Sequence, residues 1–332
     1  MNNIFGNNKF SIRICGGSHS ANMCVEIFGC PSGIQLSEQD FEVDINRRKP
    51  TSKYCTPRKE EDKVIIESGV FDGITSGKRI SLVIKNENIK PKDYTKYINV
   101  PRPSQIDFVE NVNRYNGNKL VDDTILSTGS GEFSGRTTVM LVAAGVIAKK
   151  ILKQKFPNFK IQSAAYPKNT SITSAKYDLE QAYKNGDSLG GTVFCKIEGI
   201  TKCVGDPYFD SVESVISHAM FSIPGLKGIE FGAGFEFAMM LGSYANDRYG
   251  PNGMPVTNHN GGIIGGLTTG MPIEFRVVFK PTASIKRPQF TWDFKNGYMT
   301  NLVCDGRHDV CYMLRCPVIV EAVACIALCT LI

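Results

Sequence analysis

Short apolar runs dominate the first hundred positions of this 332-residue chain: Phe10 to Cys15, Met23 to Phe28, Val64 to Ser68 and Ile80 to Ile84. Runs of this length predict strands. Between them the spacing from Ser37 to Arg48 predicts an amphipathic helix, with Ser37 as its N-cap and acids in its first turn. Lys85 to Asp123 is polar and weakly patterned, so it reads as a long functional loop. A long helix is predicted from about Ser134 to Leu152, with Val139, Val142, Ala143, Val146 and Ile147 on its apolar side. Another is expected from Ser211 to Phe221, followed by strands near Gly228 to Phe231 and Ile273 to Phe279. Val318 to Ile332 is strongly apolar but too short for a bilayer and carries Glu321, which points to a buried helix. No internal repeat or low-complexity linker divides the sequence. The pattern predicts a single domain over residues 1–332 that mixes long helices with antiparallel strands.

Composition narrows the chemistry. Lys plus Arg number 38 against 32 Asp plus Glu, a formal net charge of +6. That excess suits a small anionic substrate as easily as nucleic acid. The basic residues are scattered, without a long tail or aromatic interleaving, so nucleic acid is not the expected partner. Eleven cysteines contain no CxxC pair, which argues against a zinc site or disulfide scaffold and for reduced thiols in a cytoplasmic protein. The N-terminus shows no secretory signal, and no membrane segment or metal constellation is expected.

Several segments suit anion binding. Gly261, Gly262, Gly265, Gly266 and Gly270 fall within ten positions, and such a loop lets backbone N–H groups approach a ligand. A turn-rich connection between strands explains the glycines equally well. The following strand ends in Lys280, Thr282 and Ser284, a cation and two hydroxyls suited to phosphate. Gly129, Gly131 and Ser134 open the long helix, with Arg136 in its first turn, where a planar fork can take a carboxylate or phosphate. An arginine there opposes the helix dipole and needs a reason. His19 lies among small residues at a strand end, placed for proton transfer or for a structural role. Arg307 and Asp309 form a second cation–carboxylate group, and Arg47-Arg48-Lys49 leads into Lys53, Arg58 and Lys59. Two familiar phosphate motifs fail. Gly73 to Arg79 is one residue short of a P-loop, and Gly129-x-Gly131-x-x-Ser134 lacks the flanking strand and distant acid of a dinucleotide fold. The set favours a substrate with more than one negative group and a phosphate-bearing cofactor.

In order, these motifs resemble the chorismate synthase family. Its GESHG is GGSHS here (Gly16 to Ser20), followed by GCPSG (Gly29 to Gly33) and Arg47-Arg48-Lys49-Pro50. Its Gly-rich helix start matches GSGEFSGRTT (Gly129 to Thr138). DSLGG, SIPGLKGIEFGAGF, GSYAND, the Gly-rich loop, KPTAS and GRHDVC follow in family order along essentially the whole chain. The resemblance implies an α+β fold, a β-α-β sandwich whose antiparallel sheets enclose long helices, assembled as a homotetramer. It implies 1,4-anti elimination of phosphate from 5-enolpyruvylshikimate 3-phosphate, giving chorismate. Reduced FMN is required, with NADPH a candidate reductant. By position, His19 would protonate the leaving phosphate, with Ser18 beside it in the catalytic group, and Asp309 would assist proton removal. Arg48, Lys53, Arg136 and Arg307 match anchors for substrate or cofactor. Ser134, Gly270, Lys280, Pro281, Thr282, Ala283, Ser284 and Arg307 match flavin-contacting positions.

The chain departs from the family at defined points. Gln105 replaces a second catalytic histidine and cannot titrate near neutrality. Lys53 replaces an arginine, keeping the charge but losing the fork. Gly17 replaces a glutamate, Ser20 a glycine, and Glu132-Phe133 the usual Arg-Ser. These changes keep open a second function, a member that binds FMN or another anion without catalysing elimination.

Overall fold

The computed structural model describes residues 3–88, 94–115 and 130–332. Gly129 and much of the expected 85–123 loop lie outside them. The N-terminal part contains strands β1 (Ile4–Gly6), β2 (Ser11–Cys15), β3 (Asn22–Phe28), β4 (Ser32–Gln35), β5 (Val64–Ser68), β6 (Val70–Phe71), β7 (Ile74–Ser76) and β8 (Ile80–Lys85). Five of them form an antiparallel sheet in the order β1-β2-β3-β8-β5, and β4-β7-β6 form a small second one. The expected Ser37–Arg48 helix is a 3-10 turn, Glu38–Phe41, continued by α1 (Glu42–Arg48). Ser37 opens it by donating its backbone N–H to Asp40 Oδ2 at 2.7 Å.

The polar stretch read as loop contains α2 (Ile106–Tyr115). Its apolar residues recur at helical spacing, but the charged and amide residues among them give the segment the low hydropathy of a loop. The long helix begins later than expected: two 3-10 turns, Gly131–Phe133 and Gly135–Thr137, precede α3 (Thr138–Lys155). Strands β9 (Lys160–Pro167) and β10 (Gly191–Glu198) flank α4 (Lys176–Lys184). Then come α5 (Val212–Met220), β11 (Leu226–Phe231), the one-turn α6 (Gly242–Ala245), β12 (Ile263–Ile264), β13 (Leu267–Thr268) and β14 (Ile273–Phe279). A hairpin of β15 (Gln289–Asp293) and β16 (Tyr298–Leu302) precedes α7 (Pro317–Leu331).

The second large sheet runs β11-β14-β10-β9, every neighbour antiparallel. Helices α3 and α7 lie between the sheets, α3 against β3 and α7 against β9 and β10. Both helices are apolar nearly all round because a sheet or helix covers every side. At their closest approach a Cβ on Gly145 would stand 2.3 Å from Ala322 Cβ, so only glycine fits. This is the β-α-β sandwich of an α+β fold.

Glu321 is the exception inside α7. It is 2% exposed, and Arg47 grips it with two 2.7 Å hydrogen bonds. Lys149 adds a third at 3.0 Å and Ser163 a fourth at 2.7 Å. Burial opposes its charge, but Arg47 and Lys149 hold its carboxyl below the usual range.

Candidate active site

Helices α3 and α7 both start at one end of the sandwich, and the segments leading into them, with the loop after β14, line a cavity of ≈ 610 Å³. That volume falls within the roughly 300–1,000 Å³ of small-molecule sites. Nine cationic side chains line it against four carboxylates, among the described residues. The positive ends of two long helices add to that excess.

Arg48 and Arg136 meet at the start of α3 through Asp62. Asp62 Oδ2 accepts from Arg48 Nη1 at 3.3 Å, and Oδ1 accepts from Arg136 Nη1. Arg48 also donates to Thr138 Oγ1 and to the carbonyls of Gly135 and Arg136, which stitches the helix start to α1. Burial pulls its guanidinium down to about 10, with Asp62 opposing. Arg136 donates Nε–H to Asn86 Oδ1 at 3.0 Å. Its Nη2 is buried with no hydrogen-bond partner among the described residues. A buried, unsatisfied guanidinium donor beside a cavity calls for an anion. Ser134 lines the cavity too, its Oγ accepting from the Arg136 backbone N–H at 3.2 Å.

Across the cavity runs the loop after β14. Lys280 donates to the Ser104 carbonyl at 2.7 Å, which ties this loop to the segment carrying Gln105. Burial, then Lys227, lowers the Lys280 ammonium below its ordinary value. Ser188 Oγ donates to the Thr282 carbonyl at 2.7 Å, while Thr282 Oγ1 is buried without a partner among the described residues. Pro281 and Ala283 complete this wall, and Ser284 Oγ accepts from Arg102 at 3.2 Å. An open hydroxyl, a lysine and a small-residue turn fit a phosphorylated, ring-bearing cofactor.

Arg102 joins three walls, donating to Ser284, to Ser130 and, by two bonds, to Asp107. Its guanidinium also lies 4.7 Å from the Tyr97 ring centroid. Burial works against its charge, but Asp107 holds its pKa above the ordinary value. The sequence singles out neither Arg102 nor Asp62, the second an acid within a polar run that looks like surface.

The segment before α7 supplies Arg307, His308, Asp309 and Tyr312. Arg307 donates to Asn88 Oδ1 at 2.9 Å. Asp309 Oδ1 accepts the Thr56 N–H at 2.8 Å and Oδ2 accepts from Arg315 at 2.9 Å. Burial, then Arg102, lowers the His308 imidazole to about 4, with Asp309 opposing. Its Nε2 has no partner among the described residues, nor has the Tyr312 hydroxyl, whose pKa burial raises.

Four expected residues stand outside this lining. Ser18 Oγ and His19 Nδ1 are 2.8 Å apart, and the His19 ring meets the edge of Tyr94, which itself lines the cavity, at 5.2 Å between centroids. His19 is therefore one ring removed. Lys53 lies apart from the cavity in this protomer: its ammonium is 2.6 Å from Glu180 and lies over the Tyr54 and Tyr183 rings. Gly270 also lies apart from the cavity in this protomer. It precedes β14 whereas Lys280 follows it, so the length of a seven-residue strand separates them, and a Cβ on Gly270 would meet Lys202.

Comparison with known proteins agrees with the geometry. The family model for chorismate synthase matches residues 10–332. A chorismate synthase of Chitinophaga pinensis is 46% identical over 327 residues, covering 98% of this chain and 95% of that protein. One from Thermococcus gammatolerans is 34% identical over 346 residues, covering 96% and 94%. A chorismate synthase crystal structure matches the fold with a TM-score of 0.71 at 23% identity, over 97% of this chain and 91% of that one. With that match running through both sheets, both core helices and every wall of the cavity, the chain belongs to the chorismate synthase family.

Proposed function

We propose that this cavity carries out the chorismate synthase reaction, 1,4-anti elimination of phosphate from 5-enolpyruvylshikimate 3-phosphate to give chorismate. The observation that carries the reading is the unpartnered Nη2 of Arg136 within a strongly cationic lining. Elimination breaks a C–O bond, and phosphate leaves with the electron pair while carbon loses a proton. Fixed cations favour the charge that collects on the leaving oxygens. Arg136 and Arg307 offer that field, and Arg48 holds the helix start that positions Arg136. Asp309, kept in place by Thr56 and Arg315, is the carboxylate for proton removal. In this reading His19, packed against the Tyr94 ring, delivers a proton to the phosphate.

Lys280 to Ser284, Ser134 and Arg307 would hold reduced FMN, which would supply electron density for the elimination. NADPH is a candidate reductant. The exposed Phe235, Met239, Leu241 and Tyr244 form an apolar strip suited to a homotetramer. Eleven free cysteines suit a reducing compartment, so this reading places the protein in the cytoplasm. Among the described residues no helix is long and apolar enough to cross a membrane.

The decisive experiment is anaerobic release of phosphate and chorismate with chemically reduced FMN. Turnover well above a His19→Ala control is expected. Turnover no higher than that control, with FMN still bound, would leave only the non-catalytic alternative.

A further inference from the structure

Cys15 ends β2 and faces Cys24 of β3 directly across the antiparallel ladder. Both residues are half-buried. Between them lies the turn that carries Ser18 and His19. We propose that this pair is a site of reversible oxidative modification, at which a peroxide converts the two thiols to a disulfide that clamps the base of the His19 turn.

The ladder brings the pair into range. Residues opposed in an antiparallel sheet have Cα atoms about 4.5–5.5 Å apart, inside the roughly 4.4–6.8 Å that disulfides span. Their Cβ atoms lie about 4.5–5.5 Å apart, against about 3.5–4.5 Å in a disulfide. Closing the bond therefore draws the strands together by up to about 1 Å. Cys15 is the last residue of its strand, so the shift passes into Gly16 and Gly17. Gly17 packs so tightly that a Cβ there would stand 3.1 Å from the Gly131 carbonyl carbon, and Ser18 donates its N–H to the Gly131 oxygen at 3.0 Å. Residues 130 and 132–136 line the cavity. Displacement of the turn thus moves both His19 and one cavity wall.

The two sulfurs are not equivalent. The Asn3 side-chain amide donates to Cys15 Sγ at 3.8 Å, whereas Cys24 is packed deeper in the sheet between β2 and β8. Burial, then Cys15 and the nearby glutamates, push the Cys24 thiol up to about 11. Cys15 is the attacking sulfur: it takes one peroxide oxygen as the O–O bond breaks, giving a sulfenic acid and water. Cys24 then attacks that sulfur, the S–O bond breaks, and a second water leaves with the Cys24 proton. Two thiols lose two electrons in all, and one hydrogen peroxide becomes two waters.

The test is peroxide treatment of the full chain followed by peptide mapping without reductant. A Cys15–Cys24 cross-linked peptide is expected, absent from Cys24→Ala and lost on treatment with dithiothreitol. The exposed Cys203 serves as an internal measure of oxidant exposure. Recovery of both Cys15 and Cys24 as free thiols once Cys203 has reacted overturns the proposal, and this readout needs no turnover. The effect on rate rests on the proposed elimination: a fall of at least tenfold, restored by dithiothreitol, with Cys24→Ala unaffected. Equal inactivation of Cys24→Ala overturns the clamp.

Discussion

Asp62 engages Arg136 through Nη1 alone, which leaves Nη2 buried without a hydrogen-bond partner among the described residues. Asp62 sits at φ 56°, a left-handed conformation, and shares its other oxygen with Arg48. One carboxylate therefore orients two guanidinium groups while neutralising only part of their charge. What is left over is available to the proposed phosphate-bearing substrate.

Replacing Arg136 with lysine should separate its two duties. A lysine can keep a contact with Asp62 but cannot also present a second planar donor. Phosphate release is expected to fall at least a hundredfold, with a much smaller change in melting temperature. A large loss of stability with intact turnover would count against the anion role.

Gln105 lines the cavity without a titratable group. Gln105→His should raise the elimination rate tenfold or more and add a limb to the pH profile near pH 6–7. An unchanged profile would show that the proton at this position comes from elsewhere.

Lys53 is bound to Glu180 outside the cavity. Lys53→Ala should change kcat and KM for the substrate less than about threefold, because exposed ion pairs contribute little. Arg307→Ala, measured alongside, should cost a hundredfold or more.

Glu321→Gln removes the buried carboxylate from Arg47 and Lys149. Breaking a buried pair costs about 3–5 kcal/mol. Arg47 is 41% exposed and can turn to water, so about 3 kcal/mol is expected. Urea unfolding should show it as a lower midpoint with unchanged slope.

Acid should destabilise the fold in a window set by His308. Its imidazole is lowered from 6.5 to about 4 on folding, so between those values the unfolded chain binds the extra proton. This contribution is complete above pH 6.5 and is lost as pH falls toward 4, by roughly 3 kcal/mol. The Glu321 carboxyl is lowered instead, so its contribution holds above the ordinary glutamate range and is lost only at more acid pH. Urea midpoints from pH 7 to 4.5 should fall for the unchanged chain and stay flatter for His308→Asn.

Strands β5 and β14 were legible because each is a short apolar run with clear ends. Helix α7 was legible because it is continuously apolar, and Glu321 marked it as buried in protein. Strand β9 carries Gln, Ser and Ala on its faces, which gives periodicity little to detect, and α2 hid behind its charges. At the site, the cations and the loop after β14 could be named from their motifs. Which of them share a cavity could not, since Lys53 and Gly270 lie near motif residues in sequence while β14 and Glu180 hold them elsewhere. Asp62 acquires its role only when α1 and the start of α3 converge on it.

The contact between Gly145 and Ala322 has a bearing beyond the core. Arg136 stands just ahead of α3 and Arg315 just ahead of α7, and a Cβ on Gly135 would stand 3.1 Å from the Tyr312 ring, so the spacing of these two helices sets the gap where these adjoining segments of the lining meet. A single methyl group at position 145, far from any reacting atom, would act as a shim that opens that gap. Such a change would register as weakened substrate affinity as well as lost stability, and because the added Cβ would also stand 2.6 Å from the Ala322 Cα, trimming residue 322 would not relieve it.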